Sequence, residues 1–170
     1  SGKSTLTPPY GVEFVSVWGA EEMCDVMTKY QPQCDVIIGA AAVGDFGVAK
    51  IAGQKLKKTD NRNTKLKLEL VGTTDILKEL GKIKKPDQIM IGFAAETENI
   101  IENAQKKLSS KNLDFIVAND VTMEGAGFAS DTNIVTIITR DGQMVSLPKM
   151  TKQEVAGAIL DKLVEYFNQK

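Results

Sequence analysis

Asp45, followed within a short loop by Lys55, Lys57 and Lys58, sets a carboxylate and a group of fixed cations beside a stretch with almost no side chains, Gly39-Ala40-Ala41-Ala42. Fixed cations and accessible backbone are what a polyphosphate needs, and a bare stretch lets a flat base or another backbone come close. Two readings of residues 39–42 stand: a tight strand-to-loop turn packed under a helix, or one wall of a nucleotide crevice. The lysines weigh toward the second. No histidine occurs in the chain, so Ser-His-Asp and Cys-His nucleophilic machinery and every His-containing metal site are excluded. Cys24 and Cys34 lack metal-type spacing and read as free thiols.

These residues need elements to hold them. Residues 36–38 form an unbroken β-branched run, the pattern of a strand covered on both faces in a parallel sheet. The carboxyl end of such a strand is where open α/β sheets bind ligands. Residues 89–95 repeat the design, with Ile89-Met90-Ile91 dissolving into Gly92-Phe93-Ala94-Ala95, and residues 115–120 are a third strand of this kind ending on Asn119-Asp120. Their carboxyl ends are expected to face one crevice.

Around them, Val12, Phe14, Val15 and Val17 suggest a short strand, and residues 20–30 carry Met23, Val26 and Met27 at helical spacing until Pro32 closes the helix. These methionines and Trp18 read as core filler. Residues 66–71 alternate as a strand with Leu66, Leu68 and Leu70 on one face. Thr73 or Thr74 is placed to cap a helix with Ile76, Leu77, Leu80 and Ile83 buried. Glu96-Thr97-Glu98 leads into a helix through Leu108, and Asp141-Gly142 marks a hairpin between residues 134–138 and 144–147. Thr151 caps a last helix burying Val155, Ile159, Leu163 and Phe167. The fold class is α/β: a three-layer Rossmann-like sandwich, mostly parallel, with an antiparallel edge hairpin.

A length of 170 residues suits one domain, and 21 basic against 22 acidic residues leave no global field for nucleic acid or an anionic membrane. No apolar run approaches the ~20 residues of a membrane span, so the cytoplasm is the expected location. Ser1-Gly2-Lys3-Ser4-Thr5 has the look of a phosphate-binding loop, but Pro8-Pro9 follows where that motif needs a helix. A nicotinamide oxidoreductase is disfavoured because no Gly-x-Gly-x-x-Gly opens a helix.

Together the segments Gly39-Ala40-Ala41-Ala42-Val43-Gly44-Asp45-Phe46, Lys55-Leu56-Lys57-Lys58, Gly92-Phe93-Ala94-Ala95-Glu96-Thr97, Lys111-Asn112-Leu113-Asp114 and Ala118-Asn119-Asp120-Val121, continued by Gly127-Phe128 and Ser130-Asp131-Thr132-Asn133, resemble the phosphopantothenoylcysteine synthetase family. The resemblance covers nearly the whole chain and implies one CTP-binding synthetase domain over residues 1–170. The implied reaction has the carboxylate of 4'-phosphopantothenate attack CTP to give an acyl cytidylate and pyrophosphate, after which L-cysteine's amine displaces CMP. Mg2+ accompanies CTP; FMN belongs only to a decarboxylase domain to which such domains are fused.

On this resemblance Lys55 is the catalytic residue, stabilising the activated intermediate. Gly39, Ala40, Ala41, Asp45, Thr74, Asp75, Ile76, Leu77, Phe93, Lys107 and Lys111 match nucleotide-binding positions, and the two lysines are expected to pair with phosphates. Without the resemblance, Lys55 reads as a solvated loop lysine, and Lys107 with Lys111 as a solvated helix face near a C-terminal dipole. Many relatives have proline where Thr74 stands. The family's opening strand, loop and helix have no counterpart here, since residues 1–11 match the loop after its second strand. That departure keeps a second function open, a non-catalytic or half-active nucleotide-binding module. Family members pair as homodimers, and residues 66–71 with the basic loop of residues 50–67 are the expected exchanged segment, that loop being disordered without nucleotide.

Overall fold

The computed structural model describes residues 1–57, 65–123 and 130–168. In chain order the elements are α1 (Ala20–Tyr30), a 3-10 turn at Gln31–Gln33, β1 (Val36–Gly39), β2 (Phe46–Val48), β3 (Leu70–Gly72), α2 (Ile76–Lys82), β4 (Ile89–Glu96), α3 (Ile100–Ser110), β5 (Phe115–Asp120), β6 (Thr132–Asn133), β7 (Val135–Thr139), β8 (Met144–Ser146), β9 (Met150–Thr151) and α4 (Lys152–Asn168). They fall into two compact units, Ser1–Met27 with Ala41–Ile76, and Thr28–Ala40 with Leu77–Lys170.

The second unit holds a five-stranded sheet in the order β1-β4-β5-β7-β8. β1 pairs parallel with β4 and β4 with β5, so the three apolar runs singled out in the sequence leave the sheet along one edge, with Gly39 beside Gly92 and Glu96 beside Asp120. β5–β7 and β7–β8 are antiparallel, and the β7–β8 turn carries Gly142 at φ 89, a backbone conformation that glycine adopts without a Cβ penalty. Ile89, Ile91, Phe115, Val117, Val135 and Ile137 bury one face of the sheet against Val155, Ile159 and Leu163 of α4. Successive strand residues point to opposite faces, so Met90, Gly92 and Ile116 turn the other way, toward α2 and α3, whose Leu80, Ala104 and Leu108 are buried.

Asp114, at the amino end of β5, ties the strands together. Its amide donates to Met90 O at 2.8 Å, its carboxylate accepts the Met90 amide at 2.7 Å, and its carbonyl accepts the Arg140 amide at 2.8 Å. Lys84 closes an ion pair with the same carboxylate, both side chains being 6% exposed. On the edge of the unit, β6 and β9 form a second small ladder, placing Thr151 immediately before α4.

The first unit is built around a shorter ladder, β2 antiparallel to β3. Here several expectations fail. Residues 12–17 form no strand: Ser1 meets them, its ammonium donating to Val15 O at 2.7 Å and its carbonyl accepting the Val17 amide at 2.9 Å, and no ladder partner runs alongside among the described residues. The strand expected over 66–71 shrinks to Leu70–Gly72, because β2 offers only three residues to pair with; Leu66, Leu68 and Leu70 are exposed rather than buried. Trp18 is 84% exposed and is not core. In the second unit, β1 is an edge strand among the described residues, leaving Ile38 uncovered, and Ile83 and Phe167 lie past the buried arcs of their helices. The loop expectation for residues 50–67 and the Gly127-Phe128 motif fall partly or wholly outside the described residues.

The Thr151 cap is a reciprocal box: Glu154 N donates to Thr151 Oγ1 at 3.2 Å, while Glu154 Oε2 accepts the Thr151 amide at 2.8 Å and its hydroxyl at 2.7 Å. The hydroxyl, and then the amide, hold the Glu154 carboxyl below its usual range. A depressed carboxylate stabilises the fold fully above its unfolded pKa and loses that contribution as pH falls through the lowered folded value. Thr151→Ala, which removes this cap, should therefore lower the urea midpoint at neutral pH, with the deficit shrinking in acid.

Candidate functional site

Gly39 and Gly92 sit side by side at the ends of β1 and β4, and what fills the space above them is a side chain. A Cβ on Gly39 would lie 2.6 Å from Leu77 Cδ2, and one on Gly92 would lie 2.7 Å from Leu113 Cδ1 and 3.2 Å from Leu77 Cδ1. The bareness of these two positions thus admits Leu77 of α2, so that for Gly39 the turn packed under a helix is the reading the structure supports. Leu77, one of the residues expected at the nucleotide, packs its branched end over this edge. Phe93 and Ala40 remain exposed.

Beyond them β4 runs on to Glu96. Lys107 reaches back from α3 to place Nζ 2.7 Å from Glu96 Oε1, while Lys111 is the C-cap residue of that helix, its amide donating to the carbonyls of Lys107 and Ser109. Gly39, Ala40, Leu77, Phe93, Lys107 and Lys111 all belong to the second unit. α3 starts from Asn99 in the left-handed region, φ 48, which an Asn tolerates better than most residues.

The first unit carries Ala41, Asp45, Lys55, Thr74, Asp75 and Ile76. Thr73 ties its two strand ends: the hydroxyl donates to Gly44 O at 2.5 Å and the amide to Asp45 O at 2.9 Å. Thr73 therefore spends its hydroxyl on the Gly44 turn instead of capping α2. Asp45 and Lys55 are exposed, and Ile76 is buried. Beside the turn lies a cavity of 530 Å³, walled by the segment of residues 1–3, by Trp18 and Gly19, and by residues 41–44. Lys3 Nζ stands 5.6 Å from the centre of the Trp18 ring, within cation–π range. The cavity lining by Lys3 and Trp18 was not legible in the sequence: the prolines that exclude a phosphate-binding loop draw attention away from Lys3, and nothing in the sequence marks an exposed tryptophan.

Fold and site define an α/β protein whose adjacent parallel strands open on one edge and whose glycine-rich turn borders a cavity. The sequence pattern of the DNA/pantothenate metabolism flavoprotein C-terminal domain matches residues 1–167, and the chain belongs to that family. It is 46% identical over 170 residues to the coenzyme A biosynthesis bifunctional protein CoaBC of Bacillus subtilis (strain 168), with 99% of this chain and 41% of that protein covered. The corresponding protein of Escherichia coli (strain K12) is 36% identical, with 100% and 42% covered. The chain thus spans about two fifths of the length of these curated relatives. A crystal structure of the C-terminal domain of a coenzyme A biosynthesis bifunctional protein CoaBC superposes with a TM-score of 0.81 at 37% identity, covering 100% of this chain and 74% of that one.

If Leu77 occupies the bare edge, Gly39→Ala must displace its branched end. Urea unfolding should register a small loss, since the end of one side chain can shift, and in a double-mutant cycle with Leu77→Ala the two substitutions should be non-additive; additive effects would remove Leu77 from that edge.

Proposed function

We propose that these 170 residues act as one CTP-binding synthetase domain that joins 4'-phosphopantothenate to L-cysteine in coenzyme A biosynthesis. The observation that carries this reading is the match of residues 1–167, with the segments around Gly39, Gly92–Glu96 and Asn119-Asp120 falling at the carboxyl ends of adjacent parallel strands and residues 41–44 in the turn beside the cavity. That strand edge is where α/β sheets take ligands.

In the first half-reaction a carboxylate oxygen of phosphopantothenate forms a bond to the α-phosphorus of CTP and pyrophosphate departs. In the second the amine of cysteine attacks the acyl carbon, the C–O bond to CMP breaks, and the amine gives up its proton. Both steps gather negative charge, which fixed cations and backbone donors stabilise without a histidine. Lys55, exposed and paired with no carboxylate among the described residues, is the cation assigned to the charged intermediate. Ala41 lines the cavity and Asp45 lies beside its wall, and a volume of 530 Å³ falls in the ordinary range for a small-molecule pocket.

Among the described residues no group of three or more Cys, Asp or Glu side chains converges as a metal cage. Mg2+ would enter with the nucleotide, held by triphosphate oxygens, water and one or two carboxylates. On the family resemblance, FMN would belong to a fused decarboxylase part and not to these residues. No helix among the described residues is long and apolar enough to cross a membrane.

Titration of CTP against ATP, with product followed in the presence of cysteine, tests the reading; equal affinity for both nucleotides, or no product from any protein carrying this domain, would overturn it. Lys55→Gln should leave CTP affinity within a few-fold and nearly abolish turnover, since its contribution lies in the transition state.

The first unit also presents Phe46, Val48, Leu66, Leu68, Leu70 and Val71 to solvent, an apolar group of the kind that marks an interaction surface. We assign it to homodimer formation, with residues 66–71 helping to complete a partner's site. Sedimentation at micromolar concentration should give a dimer, and Leu68→Lys with Leu70→Lys should shift it to monomer.

A further inference from the structure

The carboxyl ends of β4 and β5 carry two acidic side chains in register, Glu96 and Asp120, and they are differently committed. Asp120 Oδ1 accepts the amide of Thr122 at 3.0 Å and its hydroxyl at 2.5 Å, which closes its own turn. Glu96 instead faces α3. Its Oε1 accepts Lys107 Nζ at 2.7 Å, and its Oε2 accepts Asn103 Nδ2 at 3.3 Å, an amide that also donates to Glu98 O at 3.0 Å. The Glu96 side chain is 13% exposed and that of Lys107 is 42% exposed. The acid is sheltered and held from two sides, while the ammonium it fixes still reaches solvent.

This pairing changes what Lys107 can do for a nucleotide. An ammonium answered by a carboxylate at 2.7 Å projects little net field toward a triphosphate, and the carboxylate itself repels one. What remains is direction. A carboxylate oxygen with a lone pair to spare stands beside an ammonium with N–H groups unused, an acceptor next to a donor. The Watson–Crick edge of cytosine is the complement, an exocyclic amine next to an unprotonated ring nitrogen, whereas uracil presents a carbonyl next to a ring N–H. Acidic side chains accept from the cytosine amine in nucleic-acid recognition by the same chemistry.

We propose that Glu96 and Lys107 together read the base of the nucleotide, Glu96 accepting from the cytosine N4 amine and Lys107 donating to N3 or O2, and that this couple sets the preference for CTP over UTP. Asn103 is a positioning residue that acts through Glu96. The inference rests on the nucleotide-binding reading above and moves Lys107 from the phosphates to the base.

Equilibrium binding of CTP, UTP, CMP and UMP to the protein, to Glu96→Gln and to Lys107→Met tests it. The unaltered protein should prefer CTP over UTP by about tenfold or more. Glu96→Gln, whose amide can also donate to the uracil carbonyl, should bring that ratio near one, weakening CTP and CMP by the same factor while UTP is unchanged or improved. Lys107→Met, at an exposed position, should lower the ratio as well, and Asp120→Asn should leave it intact. Equal losses for CTP and UTP in Glu96→Gln, or a CTP loss that vanishes with CMP, would overturn base reading and return the pair to the phosphates or to structure. Wild-type protein that binds CTP and UTP equally would overturn this inference alone; wild-type protein that binds neither would overturn the nucleotide reading with it.

Discussion

Asp114 is the residue on which the sheet's order depends. Through one backbone and one carboxylate it receives or gives hydrogen bonds to Met90 on β4, Arg140 at the end of β7 and Lys84 in the loop before β4. Arg140 adds a clamp from its own side chain, donating from Nε to Leu113 O at 2.9 Å and from a terminal nitrogen to Asn112 Oδ1 at 2.6 Å. A buried ion pair of this kind adds little net stability, since desolvation offsets attraction, yet losing one partner costs roughly 3–5 kcal/mol. Its value here is registry. A one-residue slip of β5 would turn Phe115 and Val117 out of the α4 core and would break every bond that Asp114 makes.

With the amino ends pinned, the opposite edge is free to diversify. β1 stops at Gly39, β4 runs on through Glu96, and β5 ends on Asn119 and Asp120. Each strand therefore delivers a different group to the same edge: a bare backbone covered by Leu77, a charged couple with Lys107, and a carboxylate spent on its own turn. The first unit works under another constraint. Its ladder is only three residues long on each strand, below what an isolated hairpin sustains in water, and Thr73 reinforces it through the Gly44 and Asp45 carbonyls.

The parts legible in the sequence are those governed by local pattern. The runs at Ile89 and Phe115 bury completely because both faces are covered, the Asp141-Gly142 hairpin follows from backbone preference, and Thr151 caps as its spacing to Glu154 requires. What was not legible depends on which neighbour arrives. The run at Val36 has the same composition but lies at an edge, so Ile38 is uncovered. Leu66, Leu68 and Leu70 alternate faultlessly and bury nothing among the described residues, since β2 extends no farther to meet them. The bare stretch at Gly39 leaves two readings open in the sequence, because the pattern shows only that a side chain is missing and not that Leu77 packs over it. The Glu96 couple joins a strand end to the third turn of a helix, and neither residue alone carries a signal of it.

Gly81 in α2 has a mechanical consequence. A Cβ there would lie 2.2 Å from the Lys111 carbonyl oxygen, so α2 and the end of α3 meet backbone against backbone, and Asn112 Nδ2 adds a bond to Gly81 O at 2.9 Å. Contacts made by backbone cannot be relaxed by choosing another rotamer. Any side chain at position 81 would push α2 and the end of α3 apart, and with them the Leu77 wall and the helix bearing Lys107.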